Sequence, residues 1–138
     1  MIRHRALEYL SGLPAFAAYF GLALLLLVAF MFIYMRVTPY REIHLIREGN
    51  VAAAASLGGA LIGFALPVAS AVENSVSLLD MLTWAAVALV VQVVAFVLVR
   101  LLVPTIAKNI QDGQLASGVF LGAVAIAIGL LNAASMTW

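Results

Sequence analysis

Apolar residues occupy this chain in long runs that are separated by short clusters of charged residues. The charge-free intervals run from Glu8 to Arg36, from Glu48 to Glu73, from Asp80 to Arg100 and from Asp112 to the last residue, and each holds 19 or more residues. About 20 helical residues, rising ~1.5 Å each, cross a ~30 Å hydrocarbon layer. The pattern therefore predicts four membrane-spanning helices, at about 14–35, 51–72, 81–102 and 115–137.

The spans are predicted to be helices because lipid offers no hydrogen-bond partner to an exposed backbone amide. The strands of a membrane barrel would alternate apolar and polar residues, and none of the four intervals alternates in this way. The predicted fold is all-α: a polytopic membrane four-helix bundle that forms a single membrane domain over residues 1–138.

A second pattern emerges when the sequence is shifted by 64 residues, so that Ile46–Ala52 lies over Ile110–Ala116. Both segments carry an acidic residue, a glycine and an amide at a helix entrance: Glu48, Gly49 and Asn50 in one, Asp112, Gly113 and Gln114 in the other. Because each repeating unit holds two helices, we expect two tandem repeats in the same orientation, about 14–72 and 78–137, related by an axis along the membrane normal. Helix capping and pairing with the helix dipole are the favoured interpretation of the motif, and a functional acidic pair is the alternative.

Basic residues are unevenly divided between the two sides of the predicted bundle. Five lie in two loops, which we call loop one (Val37–Asn50, with Arg36 at its edge) and loop three (Val103–Gln114, with Arg100 at its edge). Only Arg3 and Arg5 lie on the other side. Since cytoplasmic loops carry an excess of Lys and Arg, both termini are predicted to be periplasmic.

Composition narrows the class of protein further. Hydrophobic residues make up 66% of the chain and charged residues 9%, against roughly 45–50% and about 25% in soluble domains. These values exclude a soluble enzyme, a disordered chain and a nucleic-acid-binding protein. There is no cysteine, which removes thiolate metal sites and cysteine nucleophiles. We predict no cofactor, no metal and no catalytic residue.

Small residues mark the second and fourth spans as the centre of the bundle. The second span contains Gly59 and Gly63, and the fourth contains Gly118 and Gly122, each pair four residues apart. Helices in lipid associate largely through close backbone packing, which such residues permit. The same motif is also compatible with homodimerisation.

Two amides are the main polar side chains inside the spans. Gln92 continues a small-residue stripe at helical spacing in the third span, which would turn it inward, and Asn132 lies near the end of the fourth span. Hydrogen bonding between helices is the favoured interpretation. The alternative is a polar lining for a solute path.

The loops offer little chemistry. His44 with Glu42 or Glu48 could form a pair in loop one, and a solvated loop is the favoured interpretation. No ionisable residue lies at the middle of a span, where pumps and proton relays ordinarily need one.

The whole chain resembles the YjfL-type family of small four-span bacterial inner-membrane proteins of unknown function. The resemblance rests on Ala18-Tyr19-Phe20, on Phe32-Ile33-Tyr34 before Thr38-Pro39, on Ala53–Gly63, on Ala88–Arg100 around Gln92, and on the ending Asn132–Trp138. It implies a bacterial inner membrane, a tandem two-helix repeat and no established activity, and it supplies no catalytic residues.

Two functions are compatible with these features. The first is a non-enzymatic envelope scaffold or accessory protein that contacts the lipid bilayer, further copies of itself, or a partner protein through loops one and three. The alternative is a small oligomeric channel or transporter whose path is lined by the second and fourth spans, with Glu48 and Asp112 at its mouth. A membrane enzyme is the weakest reading, because the spans hold no paired acids and no nucleophile beside a base.

Overall fold

The computed structural model describes residues 2–136, and in that range the chain consists of seven helices joined by short turns. They are α1 (Ile2–Ser11), α2 (Leu13–Val37), α3 (Glu42–Arg47), α4 (Val51–Asn74), α5 (Leu78–Leu102), α6 (Ile106–Gln111) and α7 (Leu115–Ser135). Four helical stretches are long and apolar enough to cross a membrane: Ile2–Val37, α4, α5 and α7. The all-helical, four-span fold is confirmed within the described residues.

The helix ends differ from the predicted spans for local reasons. α5 begins at Leu78 rather than at 81, because the Ser77 side chain caps it by accepting a hydrogen bond from the Asp80 amide at 3.1 Å. α7 ends at Ser135, and residue 137, the last of the fourth predicted span, lies outside the described residues. α1 was not predicted. Only Gly12 separates it from α2, so the first helical stretch covers 36 residues.

α4 lies at the centre of the bundle and packs against α2, α5 and α7. Of its most apolar stretch 56% is buried, against 6% for the first helical stretch. An aromatic stack joins α2 to α4, where the rings of Phe30 and Phe64 lie 4.4 Å apart. Tyr34 meets Phe96 of α5 edge-on at 5.7 Å. These contacts bury the last part of α2 and leave its first part exposed.

The contact between α4 and α7 is made by backbone against backbone. A Cβ built on Gly122 would lie 2.5 Å from the carbonyl oxygen of Ala55. One built on Gly129 would lie 2.6 Å from the carbonyl carbon of Gly63. Since real Cβ atoms do not approach this closely, glycine is required for the two helices to touch. We call this contact the α4–α7 seam.

Away from the seam, the first part of α2 stands apart from the end of α4. The groove between them holds about 600 Å³ and has an almost wholly apolar lining that includes Phe16, Tyr19, Phe20, Ala65, Val68 and Val72. It lies within the spans and opens sideways, toward the lipid. This groove thus lies outside the bundle rather than along its axis.

Loops one and three have the same backbone design. Each contains a six-residue helix followed by a glycine with positive φ, 88° at Gly49 and 80° at Gly113. The amides of Asn50 and Gln114 each donate back to a carbonyl five residues earlier, at 2.9 Å. This is the Schellman arrangement, in which the residue after the helix adopts the left-handed conformation that glycine tolerates best.

Candidate functional site

Gln92 lies where α4, α5 and α7 converge. Its side chain is 1% exposed, and its Nε2 donates to the Ala125 carbonyl oxygen at 3.1 Å. A Cβ on Gly63 would lie 2.9 Å from that Nε2, so the glycine makes room for the amide. Gln92 thus ties α5 to the α4–α7 seam, while its Oε1 has no hydrogen-bond partner among the described residues.

Asn132 does not share the surroundings of Gln92. It lies two turns beyond Ala125 on α7, about 10 Å further along the helix axis. Its Nδ2 is buried without a hydrogen-bond partner among the described residues. Nearby, the Ser70 hydroxyl donates to the Ala133 carbonyl at 3.2 Å and joins α4 to α7. The two amides therefore lie at separate depths and do not form one polar lining.

The helix-entrance motif has different surroundings in the two loops. Asn50 Oδ1 caps α4 by accepting from the Ala53 amide at 2.9 Å, and its Nδ2 donates across to the Ile110 carbonyl at 2.8 Å. Gln114 makes no side-chain cap. Glu48 and Asp112 are the exposed C-cap residues of α3 and α6. Glu48 also pairs with His44 at 3.1 Å. The two glycines form the turns, and Asn50 is the motif residue that both caps a helix and bridges loop one to loop three.

Loop one also encloses a polar cluster that the sequence analysis missed. We call Thr38, Tyr40, Glu42 and Ser56 the loop-one cluster, and their exposed fractions are 5%, 6%, 1% and 0%. Thr38 donates to Glu42 Oε1, and Glu42 Oε2 has no partner among the described residues. The expectation that Glu42 belongs to a solvated loop is wrong, because α3 packs against α4 with this carboxyl on its inner face.

Burial dominates the electrostatics of the loop-one cluster. Desolvation raises the pKa of Glu42 above its usual range, and the hydrogen bond from Thr38 opposes part of the rise. Burial likewise raises the pKa of Tyr40 to about 12, with Ser56 acting in the opposite direction. Burial therefore shifts both groups toward their neutral forms when the loop is packed against the bundle.

A cleft of about 270 Å³ adjoins this cluster. It is lined by Met35, Tyr40, Arg41, Glu42, Ile43 and His44. Arg41 and His44 are exposed at its rim. Within residues 2–136 no three His, Asp or Glu side chains lie close enough together to hold a metal ion.

One signal in the sequence could have identified Glu42. The 64-residue shift places it over Ile106, an apolar residue in the corresponding turn of loop three. Ile106 is 1% exposed in the structure, the same as Glu42. A carboxyl at a position that this shift matches to an isoleucine points to an interior location.

Fold and site together define a multi-pass, all-helical membrane protein with a closed helix seam and a buried polar cluster at one end. A family model described as "Domain of Unknown Function (DUF350)" matches residues 8–136. The chain belongs to this family.

Named relatives agree with that assignment. The chain is 40% identical over 132 residues to the UPF0719 inner membrane protein YjfL of Escherichia coli (strain K12), covering 96% of this chain and all of the relative. It is 28% identical over 128 residues to the UPF0719 transmembrane protein YshE of Bacillus subtilis (strain 168), covering 91% and 96%. No solved structure matches the chain. The chain is accordingly a multi-pass inner-membrane protein of an uncharacterised family.

Proposed function

We propose that this protein is a non-enzymatic, non-conducting scaffold or accessory protein of the bacterial cell envelope. The observation that carries the proposal is the α4–α7 seam. Its glycines bring two backbones into direct contact, so a solute path between these helices would have to open the best-packed interface of the bundle. In this function loops one and three present the surface for a partner protein or a second copy.

The alternative, a small oligomeric channel with α4 and α7 lining the path, is disfavoured by the same contacts. Gln92 and Asn132 would have to line such a path. The Gln92 side-chain amide already donates a hydrogen bond to the Ala125 carbonyl oxygen. The Gln92 and Asn132 side chains also lie at separate depths. A path between subunits of an oligomer is compatible with the fold, although it would not run through the α4–α7 seam.

The proposal includes a topology. We infer that residues 14–72 and 78–137 are tandem repeats in one orientation, with loops one and three in the cytoplasm and both termini periplasmic. The shared Schellman turns at Gly49 and Gly113 and the count of basic residues support this arrangement. The test is a reporter that works only in the cytoplasm, fused after residue 138. Activity of this reporter would contradict the topology.

The closed seam is tested by a matched pair of substitutions on α4. A Cβ at Gly59 would lie 2.5 Å from the Gly122 carbonyl oxygen, whereas one at Gly58 meets nothing within 4 Å. We expect Gly59→Ala to destabilise the bundle by about 2 kcal/mol, and Gly58→Ala to leave it unchanged or to stabilise it by up to about 1 kcal/mol. The measurement is the free energy of unfolding in mixed micelles. Equal effects would mean that the seam is not closed.

The absence of conduction is tested with purified full-length protein in liposomes. We expect ion and small-solute flux no greater than in empty liposomes, for the native chain and for Gln92→Leu alike. If the native chain gave flux and Gln92→Leu abolished it, the scaffold proposal would be wrong and the channel would be supported.

The partner surface is tested by photo-crosslinking in cells. A crosslinker at the exposed Arg47 of loop one should capture a discrete protein, and the same crosslinker at the exposed Leu25 of α2 should capture lipid. If the crosslinker at position 47 captured only lipid and copies of this chain, the proposal of a partner protein would be wrong.

A further inference from the structure

Glu42 is the only acidic side chain of the described residues that lies in the protein interior. It is 1% exposed, whereas Glu8, Glu48, Glu73 and Asp112 are exposed and Asp80 is half-buried. Moving an unpaired carboxylate out of water costs several kcal/mol. The structure must therefore either pair this group with a cation or carry it as a neutral acid.

No cation lies within ion-pairing distance of Glu42 among the described residues. α4 carries no charged residue before Glu73, which lies at its far end. The basic groups of the neighbouring elements are all exposed, namely Arg36, Arg41, His44, Arg47, Arg100 and Lys108. Neither of the ion pairs formed within residues 2–136 involves Glu42. The titratable groups that interact with its charge are Tyr34 and Tyr40, which carry no positive charge.

The hydrogen bonds around Thr38 are better satisfied with an additional proton. Its hydroxyl is within hydrogen-bond reach of two acceptors, the Met35 carbonyl oxygen at 3.3 Å and Glu42 Oε1. One hydroxyl hydrogen serves one of them fully. If the Glu42 carboxyl carries a proton, it can donate to the Thr38 oxygen while Thr38 donates to Met35, and both bonds form.

We propose that the Glu42 carboxyl, buried in the loop-one cluster beside the Thr38 hydroxyl, is a proton-binding site that holds loop one against the bundle. Binding the proton leaves a neutral acid that can remain buried. Releasing it leaves a charge that is solvated only when α3 moves off α4. The ligand is a proton from the aqueous phase that loop one faces.

The sign of the pH dependence follows from this scheme. Burial raises the pKa of Glu42 in the docked loop, whereas an undocked loop has the ordinary glutamate value of about 4.3. Docking is fully stabilised below that ordinary value and weakens as pH rises through the raised pKa. Loop one is thus held most firmly at acidic pH and loosens toward alkaline pH.

The experiment follows loop docking with single cysteines, since the chain contains none. Leu45→Cys places a thiol on the half-buried face of α3, and Arg47→Cys places one on its exposed face. The full chain is held in nanodiscs, and the rates of thiol modification by 4,4′-dithiodipyridine are measured between about pH 5 and about pH 8. The quantity compared is the rate at position 45 divided by the rate at position 47. Taking this ratio cancels the ordinary pH dependence of thiol reactivity.

We expect the ratio to rise with pH, by up to about tenfold per pH unit between the ordinary glutamate pKa of about 4.3 and the raised pKa, and to level off above the raised pKa. The rise should vanish in the Glu42→Gln background, whose carboxamide resembles the neutral acid, and should persist in the Glu48→Gln background. If Glu42→Gln fails to insert, Glu42→Ile, which copies Ile106, replaces it with the same expectation. A flat ratio in the native background, or an equal rise after substitution of Glu42, would overturn the proposal.

Discussion

α3 and α6 have the same backbone and bury different chemistry. Each is a six-residue helix that leads through a positive-φ glycine into a long helix of the α4–α7 seam. Each also begins with an inward side chain that is 1% exposed, Glu42 in α3 and Ile106 in α6. The shape of the turn therefore requires a buried side chain at this position and does not require a carboxyl.

The difference between Glu42 and Ile106 distinguishes what the packing of the turn requires from what the carboxyl can do. Ile106 provides burial without any polar group that must be satisfied. Glu42 provides the same burial together with a desolvation cost, partly offset by Thr38. Since an aliphatic residue suffices in α6, the carboxyl in α3 is better explained by what it binds than by packing.

The largest expected effect comes from making α6 resemble α3. Ile106→Glu buries a carboxyl with no hydroxyl to receive it, because the C-cap of α5 is Val103 where the C-cap of α2 is Thr38. We expect a loss of about 3 kcal/mol in the free energy of unfolding at neutral pH, shrinking at acidic pH. Unfolding in mixed micelles measures it, with Gln111→Glu on the exposed face of α6 as control. A cost no greater than that of Gln111→Glu would mean that the inner face of α6 admits charge.

A smaller effect distinguishes the two helix entrances. Asn50→Ala removes both the cap on Ala53 and the bridge to Ile110, and should cost about 2 kcal/mol. Gln114→Ala removes neither contact and should change stability by less than about 0.5 kcal/mol. The same unfolding measurement applies. Similar costs for the two would remove the asymmetry between the entrances.

The smallest effect tests what the two turns share. Gly49→Ala and Gly113→Ala each force alanine into positive φ, where nothing else crowds the new Cβ. Each should cost about 1 kcal/mol. Melting temperatures of the two variants should fall by similar amounts. A loss confined to one of them would show that the turns are equivalent in shape but not in strain.

Much of the fold could be predicted from where charges are absent. The four charge-free intervals correspond to helices long and apolar enough to span, since hydrocarbon thickness sets their length. α1 escaped prediction because its ten residues include Arg3, His4, Arg5 and Glu8, which mark it as a polar tail. α3 and α6 are shorter than two helical turns, too short for a periodic pattern.

The candidate site was only partly predictable. The stripe of small residues on α5 indicated an inward Gln92, and that side chain is buried against α7. The interior location of Glu42 depends on how α3 packs on α4, which no local pattern encodes. A charged residue between two spans is ordinarily solvated, which is why Glu42 was expected in a solvated loop.

The most direct test of this account is the protonation state of Glu42 in the folded protein. Infrared absorption of the full chain in lipid can detect a protonated carboxyl at about pH 5.5, more than one unit above the ordinary glutamate pKa of about 4.3. We predict such a band, lost in Glu42→Gln and retained in Glu48→Gln. A spectrum without the band at that pH, or a band that survives Glu42→Gln, would contradict the account.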